Sequence, residues 1–213
     1  MVVHVCERAQ ASGARSVAVA TDDQRILKAV ERAGHRALMT RGDHDSGTDR
    51  IAEAAALLGL RAQEIVVNVQ GDEPLIDAGL IRTVAATLER SAQASMSTAC
   101  HPIHDAASLA NPNVVKVVLD AAGYALYFSR SRIPFPRAGG GPCYRHAGIY
   151  GYRVEFLKLF SSLKPSLLEQ TEALEQLRAL WHGHRIAVAV STAEIPPGVD
   201  TPQDLEAVRK MLG

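Results

Sequence analysis

Ile65, Val66, Val67 and Val69 form an apolar run that stops abruptly at Gln70-Gly71-Asp72-Glu73-Pro74. A strand needs apolar residues on both faces when helices cover both sides of its sheet, so this run constrains the chain to a layered α/β fold. Ligands of an open α/β sheet bind beyond the carboxyl ends of the strands. A carboxylate delivered there can hold a metal ion against a phosphate. Asp72 is therefore the first candidate for chemistry.

The same alternation recurs along the chain. Val3 to Ala11 has helical spacing and ends near Gly13, and Ser16 to Ala20 is a short apolar strand. Asp22 is placed to cap a helix with the apolar face Ile26, Leu27 and Val30 and a stop at Gly34. Ala37 to Met39 is a second strand, and Ser46 with Asp49 resembles a capping box opening a helix to Leu58. After the strand before Gln70 come a helix capped by Asp77, running to Arg90, and a strand from Ser95 to Ala99. Strand and helix in turn, joined by short loops, predict an α/β domain with a mostly parallel sheet.

Beyond Asn111 the pattern changes. Val114 to Leu119 and Tyr124 to Phe128 flank Asp120-Ala121-Ala122-Gly123 and predict a β-hairpin, followed by a glycine-rich loop over residues 137–142. Ala147 to Tyr152 is a further strand, Pro165-Ser166 starts a long helix through Leu180, and Ile186 to Val190 is the last strand. Thr201, Pro202 and Asp204 supply the cap, first position and box residue of the final helix. The hairpin and long helix are expected as an insert packed against one sheet, with residues 1–213 forming a single domain.

Composition excludes several classes of partner. Formal net charge is zero and the pI is near 7.1, so no basic excess points to nucleic acid or to an anionic membrane. No apolar run is long enough to span a bilayer. Cys6, Cys100 and Cys143 are far apart and odd in number, which gives no disulfide framework and fits a reducing cytoplasm.

Four further stretches carry candidate chemistry. Gly198-Val199-Asp200-Thr201-Pro202 also joins a strand to a helix, so Asp200 either grips one Mg²⁺ with Asp72 or is a solvated turn residue. Arg41, Asp43, His44, Ser46 and Gly47 precede or open a helix whose N–H groups suit an anion, although a capped helix explains half of that stretch. His146, Gly148, Tyr150 and Tyr152 share one strand face, which suits a polyhydroxylated substrate or an aromatic core strand equally. Glu172, Glu175, Gln176 and Arg178 read most simply as a solvated helix face. Lys116, alone in an apolar hairpin, points either to solvent or into a site, and Arg130 is placed to bind an acid.

Taken together, several strings resemble the 3-deoxy-manno-octulosonate (Kdo) cytidylyltransferases. They are Met39-Thr40-Arg41 with Asp43-His44 and Ser46-Gly47-Thr48, Val67 to Pro74, Asn111 to Val118, Tyr124 to Arg130, Arg145-His146 with Gly148 to Arg153, Leu174 to Arg178, and Gly198 to Pro202. The resemblance covers essentially the whole chain. It implies a three-layer, Rossmann-like nucleotide-diphospho-sugar transferase sheet. The reaction it implies is CTP and Kdo giving CMP-Kdo and pyrophosphate, for lipopolysaccharide, by a cytoplasmic homodimer. It also implies Mg²⁺ on Asp72 and Asp200 as metal ligands and catalytic residues. Arg41, Ser46, Gly47 and Gln70 are then CTP contacts, and Arg130, His146, Tyr150, Glu175 and Gln176 hold Kdo.

One departure accompanies the match. The family begins with a strand and a basic, glycine-containing nucleotide loop, whereas Met1-Val2-Val3-His4-Val5 aligns with the helix after that loop. The expectation is a chain truncated relative to the family, with sheet edges left uncovered. Three rival readings remain: a CMP-sialic acid synthetase-like enzyme, a non-catalytic sugar- or nucleotide-binding protein, and a glycosyltransferase using Asp72.

Overall fold

A computed structural model describes residues 1–44, 46–139, 141–196, 198–199 and 201–212. In chain order it forms α1 (Val2–Ala11), β1 (Ala18–Thr21), α2 (Gln24–Arg32), β2 (Arg36–Met39), α3 (Gly47–Leu57), β3 (Ile65–Asn68), α4 (Ala78–Arg90), β4 (Ala94–Pro102) and α5 (Ala106–Ala110). Then follow β5 (Lys116–Leu119), β6 (Ala125–Ser129), β7 (Tyr144–Arg153), α6 (Val154–Phe160), α7 (Leu167–Glu172), α8 (Gln176–Trp181), β8 (Arg185–Val190) and α9 (Pro202–Leu212).

β7 organises the sheet. It pairs antiparallel with β4 along one side, and with β3 and then β5 along the other. β8 runs parallel to β4, and β6 closes the hairpin on β5. β3, β4, β5 and β8 therefore point one way, with β6 and β7 opposed. The predicted mostly parallel α/β sheet holds in strand direction, and the hairpin joins it edge to edge through Lys116 and Val117 opposite Arg145 and Tyr144. β1 and β2 form a separate parallel pair.

Helices cover both faces. On one, Phe156, Leu157 and Phe160 of α6 and Leu177 of α8 pack on Met96, Cys100, Phe128 and Ile186. On the other, Leu80, Ile81 and Val84 of α4 pack on Ala99, Ala147, Ile149 and Ala189. This three-layer packing explains the unbroken apolar composition of the strands. α4 approaches β7 closely at Gly151, where a Cβ would lie 2.5 Å from Ser97 Oγ and 3.3 Å from Val84 Cγ1. Any side chain there would have to displace Ser97 Oγ, which donates to the Val84 carbonyl at 2.8 Å.

Three local expectations are corrected. The cap of α2 is Asp23, whose side chain accepts from the Arg25 N–H at 2.7 Å, while Asp22 instead accepts from Arg50 Nη2 at 3.0 Å. The long helix from Ser166 to Leu180 is broken: Ala173 takes a left-handed φ of 50°, ending α7 before α8 starts anew. The break turns α8 inward, so Gln176 and Arg178 are buried at 5% and 8% exposure rather than lying on a solvated face. Arg178 is held there by a bidentate ion pair to Glu169 and by the Phe160 ring beneath it. Finally, Lys116 points neither to solvent nor into a cleft. It is fully buried, and its Nζ donates to the carbonyls of Asn111, Val114 and Arg130 at 3.0, 2.6 and 2.6 Å.

Candidate functional site

The carboxyl ends of the strands carry the site, as the sheet direction requires. β3 ends at Asn68, and the chain turns through Gln70 to Glu73, where the Glu73 N–H bonds the Gln70 carbonyl at 3.3 Å. Gln70 is exposed and Asp72 half-buried. The loop after β8 closes on this turn: the Val199 N–H donates to the Asp72 carbonyl at 2.9 Å, and a Cβ on Gly198 would lie 3.8 Å from the Asp72 carboxyl carbon. Asp200, the expected second ligand, lies outside the described residues. Among the described residues no ion pair neutralises Asp72, and no group of three metal-binding side chains stands together. Mg²⁺ uses one or two carboxylates and takes its other oxygens from phosphate and water, so this donor set fits it.

The turn also reaches β7. A Cβ on Gly148 would sit 3.6 Å from Glu73 Oε1, an ordinary contact distance, so the Glu73 side chain lies against this strand. On the β7 face sit His146, Tyr150 and Tyr152, with ring centroids 5.3 Å apart for the first pair and 6.0 Å for the second. Phe128 meets His146 edge-on at 4.9 Å. Burial pushes the His146 imidazole down to about 3 and both tyrosines well up. His146 and Tyr150 nonetheless keep part of their surface open, so they line a deep cleft rather than a sealed core.

Glu175 stands near the same tyrosines, its charge acting on both Tyr150 and Tyr152. Among the described residues three buried side-chain atoms lack a partner, and two of them are Glu175 Oε1 and Gln176 Nε2. Unpaired buried polar atoms are costly, and both of these are closed off from solvent. Desolvation raises the Glu175 pKa, while the nearby Ser46 and Thr48 hydroxyls pull it partly back. Ser46 caps α3, accepting from the Asp49 N–H at 3.2 Å, and Thr48 Oγ1 lies 3.3 Å from the Tyr152 hydroxyl. Ser46, Glu175, Tyr150 and His146 thus form one belt, and Glu73 meets the same strand at Gly148. Gly47 opens α3 with free space where a side chain would be.

Glu175 has a measurable pH signature. Its folded pKa lies above the ordinary 4.5, so between those values the folded state holds the extra proton and stability falls as pH rises. Glu175→Gln is expected to raise the unfolding midpoint near pH 8 while lowering sugar use, and to lose that advantage at about pH 4. Thermal unfolding of both chains across that range checks it; equal midpoints throughout would remove the burial argument.

Two of the expected contact residues have protein partners. Arg41 is exposed and paired with Asp43 at 3.2 Å, on the wall of a cleft of about 440 Å³ that also includes Glu53 and Ser161. His44 is spent on Glu53, as a locally bonded loop residue would be. Arg130 Nε donates to the Glu172 carbonyl at 2.6 Å, and its Nη atoms reach the Pro112 and Ala173 carbonyls, so it ties the hairpin to the α7–α8 turn. Glu172, which had read as a surface acid, accepts from Ser129 Oγ at 2.6 Å and the Arg130 N–H at 2.9 Å. Sequence reasoning also missed Thr48 and Thr98, since a buried hydroxyl has no periodic signal.

The chain is similar to known proteins over nearly its whole length. The family described as cytidylyltransferase matches residues 1–186. A 3-deoxy-manno-octulosonate cytidylyltransferase of Acidovorax sp. (strain JS42) is 56% identical, over 100% of this chain and 87% of its own length. The protein of that name from Acidovorax ebreus (strain TPSY) matches with the same identity and coverage. A solved structure of CMP:2-keto-3-deoxy-manno-octonic acid synthetase complexed with CTP is 43% identical, with a TM-score of 0.92 over 99% of this chain and 86% of that one. The Asp72 turn and the belt from Ser46 to His146 therefore lie in a chain that belongs to the cytidylyltransferase family, among its 3-deoxy-manno-octulosonate cytidylyltransferases.

Proposed function

We propose that this chain transfers the cytidylyl group of CTP to Kdo, forming CMP-Kdo and pyrophosphate. The observation that carries the reading is the match, at a TM-score of 0.92, to a CMP-Kdo synthetase structure complexed with CTP. The anomeric hydroxyl oxygen of the sugar bonds to the α-phosphorus, the bond from that phosphorus to the β-phosphate bridge breaks, and the hydroxyl releases its proton. Such a displacement is driven by positioning and by stabilising charge.

Each part of the site has a role in this reading. Asp72 would hold Mg²⁺, with Asp200 as second ligand by its place in the loop. The ion supplies charge neutralisation on the phosphoryl oxygens when bound. Ser46, Gly47, Arg41 and Gln70 lie toward the nucleotide. Tyr150, His146, Glu175 and Gln176 hold the sugar, with Arg130 fixing the wall they stand in. Pairing of two copies, the use of CMP-Kdo for lipopolysaccharide and a cytoplasmic setting belong to the same reading. Among the described residues no helix is long and apolar enough to cross a membrane.

Pyrophosphate release is the test. The 213-residue chain is expected to release pyrophosphate only when CTP, Kdo and Mg²⁺ are all present. Preference for sialic acid over Kdo would overturn the substrate, and failure to bind CTP in calorimetry would overturn the reaction.

A further inference from the structure

His146 stands where the ladder between β4 and β7 breaks. Pairing jumps from Thr98 opposite Tyr150 to Ala99 opposite Ala147, leaving Gly148 and Ile149 without counterparts on β4. A bulge of this kind takes backbone groups out of the ladder and re-aims the side chains beside it. The fully buried Thr98 hydroxyl fills the gap. Its Oγ1 lies 2.8 Å from the Ile149 carbonyl oxygen, 3.1 Å from the Ala147 carbonyl oxygen and 2.9 Å from His146 Nε2.

Counting hydrogens decides who donates. A threonine hydroxyl carries one hydrogen and accepts through its lone pairs, while the two carbonyls can only accept. If that hydrogen went to His146 Nε2, both carbonyls would lose this donor in a fully buried place. With the hydrogen turned to the carbonyls, Nε2 must itself be the donor to Oγ1. A neutral imidazole protonated on Nε2 carries its lone pair on Nδ1. Burial keeps the ring neutral, with its pKa down at about 3. Nδ1 has no hydrogen-bond partner among the described residues, and the ring is half-buried, 5.3 Å from that of Tyr150.

We infer that Thr98 is a positioning residue: it locks His146 in the Nε2–H tautomer, so that the cleft presents Nδ1 as a hydrogen-bond acceptor for a substrate hydroxyl. The acceptor role rests on His146 being a sugar contact; the tautomer does not. Site specificity follows directly, since an Nδ1 acceptor favours a ligand with a hydroxyl at that point over one with a carbonyl or ether oxygen.

Long-range ¹H–¹⁵N correlation spectra of the full chain, with and without Kdo, test both halves. Wild type and Thr98→Ser are expected to show His146 protonated on Nε2 and bare on Nδ1, with Kdo shifting the Nδ1 resonance. Thr98→Val, of nearly the same shape, is expected to lose that single tautomer. It should raise KM for Kdo about tenfold and leave KM for CTP within about twofold, with Thr98→Ser restoring the wild-type value. An Nδ1–H tautomer in wild type would overturn the inference, as would a valine variant unchanged in both tautomer and KM. If Thr98→Val does not fold, the wild-type and serine spectra still decide the tautomer. An Nε2–H ring whose Nδ1 ignores Kdo would sink the acceptor role and the placing of the sugar on His146, while leaving CTP-dependent chemistry standing.

Discussion

Asp72→Asn is expected to lower Mg²⁺-dependent pyrophosphate release by about 10²–10³-fold, the scale seen when one preorganised charge-stabilising group is removed. The substitution is nearly isosteric, and the backbone contact from Val199 to the Asp72 carbonyl stays in place. The unfolding midpoint should therefore hold, and CTP binding without metal should change little. What is lost is the carboxylate that no ion pair neutralises among the described residues. Steady-state kinetics over a Mg²⁺ titration, with calorimetric unfolding on the same samples, separates the two effects. Full activity at ordinary Mg²⁺ would take Asp72 out of the metal site, and a collapse of the midpoint would make its role structural.

Lys116→Met is expected to give the largest loss of stability. Two effects oppose each other. Removing the ammonium relieves the desolvation that already pulls the Lys116 pKa below the usual lysine range. It also strands the carbonyls of Asn111, Val114 and Arg130. Each stranded carbonyl costs about 1–3 kcal/mol, and methionine offers no donor, so the second effect wins by roughly 3 kcal/mol. For a chain of this size that corresponds to a midpoint lowered by about 10 °C. Arginine cannot rescue it, because a planar fork does not fit three carbonyls converging on one point. A methionine variant within about 1 °C of wild type would show that water replaces the ammonium.

These two residues illustrate what a sequence makes visible. Asp72 was legible because a strand direction and a stop signal are both local patterns, and the strand end must carry the ligand in this architecture. The helix caps at Ser46, Asp77 and Thr201 were legible for the same reason, since each bonds within three residues of itself. Lys116 was not. Its three partners are the backbone of Asn111 and Val114 nearby and of Arg130 across the hairpin, and no composition or period encodes a carbonyl cage.

The α7–α8 region failed for a different reason. Leu167, Leu174, Leu177 and Trp181 keep helical spacing straight through Ala173, so periodicity alone runs one helix across the break. Sequence has no mark for a left-handed alanine, which is held by its surroundings rather than favoured by its side chain. The break matters because it turns Glu175 and Gln176 inward instead of to solvent.

From the chain of residues alone came the layered α/β class, the strand directions that aim Asp72 and the Gly198–Val199 loop at one sheet edge, and the family resemblance. Those follow from local rules of burial, capping and turn chemistry. Tertiary structure alone decided which polar groups are partnered. It spent Arg130, Lys116 and His44 on carbonyls and a carboxylate, left Glu175 Oε1 and Gln176 Nε2 unpaired, and set Thr98 against His146. The physical reason is that a hydrogen bond across 48 residues of chain, as between Thr98 and His146, depends on sheet register and a bulge, which are set by packing of the whole molecule.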